Sequence, residues 1–154
     1  MKLRVFKKID IGKVVTIFRE ANANEIPVSD NNMIPVSGTC HFINLIKEWL
    51  TINPNMVFFI ENPRGMLRKM PFMQEFKRHT VWYCQYGDER AKPTDIWTNS
   101  VNWVPRPICH NGNKNCHHQP APRGSKTGTQ GRKGSFDRSK IPHELCIEIL
   151  KSTL

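Results

Sequence analysis

Long apolar runs are missing from this 154-residue sequence. No segment approaches the roughly 18 consecutive apolar residues that a membrane-spanning helix needs, so we expect no membrane partner. The N-terminal stretch MKLRVFKKIDIGKVV is basic, but it lacks the unbroken apolar core of a secretory signal peptide. These two absences predict a soluble protein of the cytoplasm.

Acidic side chains are scarce, since 13 Asp and Glu stand against 23 Lys and Arg and the net charge is +10. The imbalance is concentrated between Ser100 and Lys140, where eight basic residues accompany one acid, Asp137. Such a field attracts polyanions, of which nucleic acid is the commonest. We therefore predict a nucleic-acid partner. A basic surface that serves only solubility is the alternative.

The cysteine count is odd, which does not indicate the paired disulfides of a small secreted domain. Cysteine and histidine cluster at 109–110 and 116–118, where thiolate and imidazole groups could hold zinc. The candidate ligands are Cys109, Cys116 and His117, with Cys84 or His110 as the fourth. Because the usual Cys-x-x-Cys spacing is missing, loop residues held only by hydrogen bonds and packing are the alternative.

The chain is short enough that we expect a single domain over residues 1–154. Within it, residues 1–38 have no readable pattern, and residues 39–98 have the mixed helix and strand patterns of an α/β core. Residues 99–141 form a long basic loop that is rich in Cys, His and Gly. Residues 142–154 close the chain with a short amphipathic helix that a proline begins.

A buried strand is predicted at the apolar run 56–60, which follows an amphipathic helix that begins near Thr39. A helix, a short turn and an apolar strand make half of a Rossmann-like unit. Ligands of open α/β sheets bind beyond the carboxyl ends of the strands, and Glu61 and Asn62 follow this strand directly. A carboxylate that caps a helix or pairs with a nearby arginine is the alternative interpretation of Glu61.

Two further polar segments could contact phosphates. Strand-like patterns at 80–86 and 94–98 predict an antiparallel hairpin, whose turn carries Arg90 and Lys92 and could hold a phosphate or a base carbonyl. Residues 122–140 interleave glycines with Ser, Thr, Lys and Arg, which lets a backbone approach phosphates, although the spacing is not that of a Walker loop. An ordinary charged turn and a disordered basic linker are the respective alternatives.

Four blocks of the sequence, taken in order, resemble the C-terminal part of phage-type DNA cytosine-5 methyltransferases. They are FFIENPRGMLRKMPFMQ, YCQYGDERAKPTDIWTN, APRGSKTGTQG and RSKIPHELCIEI, and the resemblance spans about residues 39–150. It implies a partial Rossmann-like methyltransferase fold, with a mixed sheet and a long basic loop. It also implies that Glu61, Asn62 and Arg90 contact a flipped cytosine, and that the last helix borders the S-adenosylmethionine pocket.

The front of that family's pattern is missing. The sequence contains neither the cofactor glycine loop nor a Pro-Pro-Cys segment, whose thiolate attacks cytosine. The resemblance therefore implies a DNA-binding protein that is catalytically incomplete alone, in a bacterial cell that a phage infects or inhabits. The expected nucleic-acid contacts are Arg64, Arg68, Lys92, Arg123, Lys126, Arg132 and Lys133.

Two alternatives to this function stay open. The chain could be one part of a split methyltransferase, which would bind S-adenosylmethionine only when a second polypeptide supplies the missing half. It could also be a phage inhibitor that binds a host defence protein directed against nucleic acid. Whether the protein is an enzyme is therefore undecided by its sequence.

Overall fold

A computed structural model of the protein describes residues 16–19, 38–121 and 135–154. The strands are β1 Thr16–Arg19, β2 Phe58–Pro63, β3 Arg78–Trp82 and β4 Pro93–Thr98. The helices are α1 Gly38–Ile52, α2 Ser135–Ser139 and α3 His143–Lys151. Short 3-10 turns lie at Met66–Lys69, Pro71–Met73 and Tyr83–Tyr86. No helix of these ranges has the length and apolar character to cross a membrane.

The four strands form one mixed sheet in the order β1-β2-β4-β3. β1 runs parallel to β2, and Phe18 is opposite Ile60. β4 runs antiparallel to both of its neighbours, so that Ile96 lies between Glu61 of β2 and His79 of β3. The mixed α/β architecture predicted from the sequence is confirmed, and so is the antiparallel pairing of β3 with β4.

Helix α1 covers one face of the sheet. Ile43 and Ile46 are one helical turn apart, and they pack in one apolar cluster with Phe58, Ile60 and Trp97. The two β2 residues alternate with Phe59, as expected when successive side chains of a strand point to opposite faces. The amphipathic pattern after Thr39 thus forms the helix that the sequence predicts.

The opposite face of the sheet is covered by α3 and by the segment that follows β4. Leu145 and Ile149 of α3 pack in one cluster with Phe59, Ile96 and Trp103. β2 is therefore buried on both faces, which explains why its first half, Phe58 to Ile60, is continuously apolar. Helix α3 begins at His143, one residue after Pro142, close to the predicted position.

Three boundaries differ from the sequence predictions. β2 extends to Pro63, so Glu61 and Asn62 lie inside the strand rather than after it, because both pair with β4. The strand predicted over 80–86 ends at Trp82, where a 3-10 turn begins. Helix α2 lies within the segment predicted to be loop, and residues 122–134 fall outside the described part of the chain.

The described part of the predicted basic loop, 99–121, has no helix or strand of its own. It is nevertheless anchored to the core, because Trp103 is buried and the Arg106 guanidinium bonds to Glu144 and Glu148 of α3 at 2.7 and 2.8 Å. Arg106 also donates to the Gln85 carbonyl oxygen at 2.7 Å. At least one cation of this segment therefore holds it to α3 and to the 3-10 turn.

Candidate functional site

The 3-10 turn Tyr83–Tyr86 connects two polar clusters. The Tyr83 hydroxyl donates to a carboxylate oxygen of Glu61 at 2.7 Å, whereas the adjacent Cys84 thiol lies among cysteines and a histidine. Gly87 closes the turn in the left-handed region at φ 80°, where a side chain would be strained. One short turn therefore positions groups of both candidate sites.

The second of these clusters could hold a metal ion. It consists of Cys84, Cys109, Cys116 and His118, whose ligand atoms all lie within 4.8 Å of one another. Cys84, Cys109 and His118 are buried, and Cys116 is half-buried. The Cys109 Sγ and the His118 Nδ1 are 3.9 Å apart. Three sulfur ligands and one imidazole are a set that structural metal sites use.

Amide groups surround the sulfur atoms of this cluster. Asn113 Nδ2 donates to Cys109 Sγ at 3.5 Å. Gln85 Nε2 lies 3.9 Å from Cys84 Sγ and 3.7 Å from Cys116 Sγ. Donors of this kind stabilise thiolates and orient them toward a metal.

The environment changes the protonation of the candidate ligands. Burial raises the pKa of the Cys84 thiol to about 12, and the neighbouring cysteines add to the shift. Burial also acts to raise the pKa of Cys109, but hydrogen bonds, led by that of Asn113, outweigh it and lower the pKa. Burial lowers the pKa of His118, so its imidazole is neutral at neutral pH, as a ligand requires.

Cys109 and Cys116 were predicted as ligands from the sequence, and the structure brings them together with Cys84. The histidine in the cluster is His118 rather than His117, which is exposed and has its Nε2 3.2 Å from the Asp88 carbonyl oxygen. Residues 116–118 lie among turns and bends rather than in a regular element, so no periodicity of the sequence separates His118 from its neighbour.

The other polar cluster is centred on Glu61, which is 1% exposed. Its carboxylate accepts the Tyr83 hydroxyl bond, and the Lys92 Nζ lies 4.7 Å from the centre of the Tyr83 ring. Burial and then the negative charge of Glu61 raise the pKa of the Cys146 thiol of α3. A carboxylate, a phenol and an ammonium group thus share one buried region.

Asn62 does not share this region, although it is buried and adjacent in sequence. Successive residues of a strand point to opposite faces, so Asn62 faces the α1 side. Its side-chain amide donates to the Pro63 carbonyl oxygen at 2.8 Å. The structure therefore separates the two side chains that the sequence predicts to act together.

The cations of the hairpin turn are occupied by contacts within the chain. Arg90 is 4% exposed; its guanidinium pairs with the Asp88 carboxylate and donates to the carbonyl oxygens of Asp137 and Lys140 at 3.1 and 3.2 Å. Lys92 donates to the carbonyl oxygen of Arg138 at 3.3 Å. The carbonyl groups at the C-terminal end of a helix have no hydrogen-bond donors within the helix. Those at the end of α2 accept hydrogen bonds from these two cations instead.

The remaining predicted nucleic-acid contacts divide into three groups. Arg68 forms a two-pronged ion pair with the buried Asp95 and also donates to Thr80 at 3.0 Å. Arg64 is exposed at the surface. The others lie outside the described residues, and they are Arg123, Lys126, Arg132 and Lys133.

Comparison of the chain with known proteins gives no relative. No family model, no curated protein and no solved structure matches it. The fold and the side chains therefore define the class: a mixed α/β protein with a four-residue cluster that could hold a metal ion.

Proposed function

We propose that the chain is a DNA cytosine-5 methyltransferase-like protein that binds DNA and is catalytically incomplete alone. The observation that carries this proposal is the buried Glu61 carboxylate near the carboxyl end of β2, bonded to Tyr83, whose ring lies against the Lys92 ammonium group. We also propose that the mixed α/β architecture is part of a Rossmann-like fold. The four sequence blocks that resemble the methyltransferase family include both Glu61 and Tyr83.

The chemistry of Glu61 suits cytosine. A carboxylate accepts a hydrogen bond from the exocyclic amine of cytosine, a position that thymine fills with a carbonyl oxygen. Enzymes that modify a base take it out of the stack and bind its pairing edge in a pocket. Since Glu61 is 1% exposed, a base reaches it only after the packing between β2 and α3 opens.

Cys146 is the cysteine near Glu61, and its environment does not suit a nucleophile. Nucleophilic attack requires a thiolate, and low-pKa cysteines provide it. Burial and the Glu61 charge instead raise the pKa of Cys146. Together with the missing Pro-Pro-Cys segment, this supports a chain that binds its target without completing the methyl transfer.

Completion by a second polypeptide is the alternative that one observation favours. β1 is an edge strand of the described sheet and runs parallel to β2. Rossmann-like sheets grow by parallel strands, and an edge strand can pair with another chain. In this alternative, S-adenosylmethionine binds to the completed assembly. Zinc is the metal that we propose for the cysteine–histidine cluster in either case.

Base recognition is tested with duplexes that differ in one unpaired base, since an unpaired base costs least to remove from the stack. We expect the protein to bind an unpaired cytosine about tenfold more tightly than an unpaired thymine, within the discrimination of one good base contact. Glu61→Met should abolish this preference. Glu75→Met, which alters an exposed carboxylate, is the matched control and should keep it. Equal affinity of the unmodified protein for the two duplexes would overturn the proposal.

The basic segment is tested by the salt dependence of DNA affinity. Replacing Arg123, Lys126, Arg132 and Lys133 by alanine should weaken binding to every sequence and flatten the slope of log affinity against log salt. A salt-independent affinity of the unmodified protein would contradict the role assigned to this segment. In a transfer assay with labelled S-adenosylmethionine, we expect no methyl transfer above the no-protein control. Turnover by the chain alone would show that it is complete.

A further inference from the structure

The cysteine–histidine cluster joins two parts of the chain that are distant in sequence. Cys84 lies in the 3-10 turn after β3, whereas Cys109, Cys116 and His118 lie in the irregular segment 99–121. A helix or strand stabilises itself through a continuous ladder of backbone hydrogen bonds, whereas this segment makes isolated turn bonds, from the Asn113 N–H to the His110 carbonyl oxygen and from the Cys116 N–H to the Asn113 carbonyl oxygen. Its conformation therefore depends on what ties it to its neighbours.

We propose that Cys84, Cys109, Cys116 and His118 hold one zinc ion in a closed tetrahedral site, and that the ion fastens the segment 99–121 to the turn Tyr83–Tyr86. Four protein ligands leave no open position for water or substrate, so the site is structural rather than catalytic. This inference does not rest on DNA binding or on the methyltransferase resemblance.

The distances agree with tetrahedral coordination. Zinc lies about 2.3 Å from sulfur and about 2.0 Å from nitrogen, which separates a sulfur and a nitrogen ligand by about 3.6 Å and two sulfurs by about 3.8 Å. The Cys109 Sγ and the His118 Nδ1 are 3.9 Å apart, and no pair of ligand atoms exceeds 4.8 Å. Each ligand must therefore move by less than about 1 Å to close around the ion.

The amide donors around the sulfurs are an independent observation for the same site. A thiolate accepts hydrogen bonds much better than a thiol, since the charge is on the sulfur. Gln85 approaches two of the sulfurs, and Asn113 approaches the third. Neutral thiols that pack as small apolar groups gain little from these donors, whereas three zinc-bound thiolates are stabilised by them.

Coordination through Nδ1 has a defined consequence for His118. The Gly112 N–H donates to its Nε2 at 3.3 Å, which requires that nitrogen to be unprotonated. When Nδ1 binds zinc, the neutral ring carries its proton on Nε2, so the Gly112 contact must open.

Metal content of the purified, untagged full chain is the first measurement. Elemental analysis should give about one zinc per chain, the content of a single four-ligand site. Cys84→Ser and His118→Ala should each lose it. The matched controls, Cys146→Ser and His117→Ala, change the same residue types outside the cluster and should retain it. Zinc-free protein, or equal loss from the controls, would overturn the proposal.

Cobalt titration keeps the test decisive if a ligand variant fails to fold. Cobalt(II) added to the metal-free unmodified chain should produce the intense visible bands of tetrahedral coordination and thiolate charge transfer, with an endpoint at one equivalent. Zinc should then remove these bands. Gln85→Leu should weaken zinc affinity about 10–100-fold, as loss of an outer-shell partner does. Weak bands typical of octahedral cobalt would show that the four side chains do not form this site.

The fastening role is tested by proteolysis. Chelation should make the chain susceptible to cleavage between 99 and 121 before β2 or β4 is cut, because the zinc contributes its binding energy to the fold of that segment. Uniform resistance of metal-free protein would refute the role. Equal affinity of the zinc-loaded, unmodified protein for the two duplexes would refute the proposed function and leave the metal site intact.

Discussion

The ion pair between Arg68 and Asp95 gives the most direct test of how the structure uses its charges. Arg68 Nε and Nη2 donate to the two carboxylate oxygens of Asp95 at 2.8 and 2.6 Å. The Asp95 side chain is 0% exposed, and that of Arg68 is 20% exposed. Thr80 donates to the same carboxylate at 2.8 Å. Arg68→Met keeps most of the apolar stem and removes the charge.

Arg68→Met should lower the free energy of unfolding, because it leaves the buried Asp95 carboxylate without its cation. Breaking a buried pair by removing one partner costs about 3–5 kcal/mol. Because solvent reaches part of Arg68, and Thr80 still donates to Asp95, we expect the lower end, about 3 kcal/mol. At a urea dependence of about 2 kcal/mol per molar, the unfolding midpoint should fall by about 1.5 M.

Urea unfolding followed by tryptophan fluorescence measures this shift. Arg64→Met is the matched control, because Arg64 is exposed and four residues away in sequence; it should change stability by less than about 0.5 kcal/mol. Adding Asp95→Asn to Arg68→Met should recover part of the loss, since the stranded charge is then removed. Equal midpoints for Arg68→Met and Arg64→Met would refute the reasoning and favour a solvent-screened arginine available for DNA.

Three further predictions concern the opposite face of the sheet. Tyr83→Phe removes the donor to Glu61 and should cost about 1.5–3 kcal/mol in urea unfolding; a loss below about 0.5 kcal/mol would contradict the buried bond. Glu61→Gln removes the charge that helps raise the pKa of Cys146, so alkylation of that thiol, followed by peptide mass spectrometry, should become faster. An unchanged rate would argue against their proximity. Burial lowers the pKa of His79 below 6.5, so as pH falls through that value the unfolded chain gains a proton that the folded chain does not. The unfolding free energy should therefore decrease as the pH falls, and the decrease should be smaller in His79→Phe, which keeps a ring against Trp103. The same pH dependence in the variant and the unmodified protein would show that His79 does not contribute to it.

Local patterns in the sequence predicted the parts of the fold that depend on local physics. The apolar run before Glu61 became β2, and the helical spacing after Thr39 became α1, because burial of one face or both leaves a periodic signal. The boundary after Trp82 was missed, since the turn that follows is fixed by the left-handed Gly87 and by a bond from the Tyr83 N–H to the Lys92 carbonyl oxygen. Such pairings become visible only when β4 is in place.

In the candidate sites, too, contacts between residues distant in sequence could not be predicted from local patterns. Cys109 and Cys116 were found because they are close in sequence to each other and to histidines, whereas the choice of Cys84 depended on how the hairpin meets the segment 99–121. Arg90 and Lys92 were interpreted as groups that contact nucleic acid, although Asp88, which pairs with Arg90, is only two residues away. Their other partners, the carbonyl oxygens at the end of α2, belong to residues far along the chain. A sequence shows a charge but not the backbone atom that will neutralise it.

The strand order β1-β2-β4-β3 has a consequence for how the protein forms during synthesis. β4 is the last of these strands to leave the ribosome, yet it lies between β2 and β3, which make no ladder with each other. Until residues 93–98 emerge, β3 has no strand in this sheet to join, and the apolar faces of β2 remain open to other chains. Long-range pairing of this kind is slow and leaves nascent chains prone to aggregate. The order of the strands thus makes the nascent chain most vulnerable while β2 and β3 await a common neighbour.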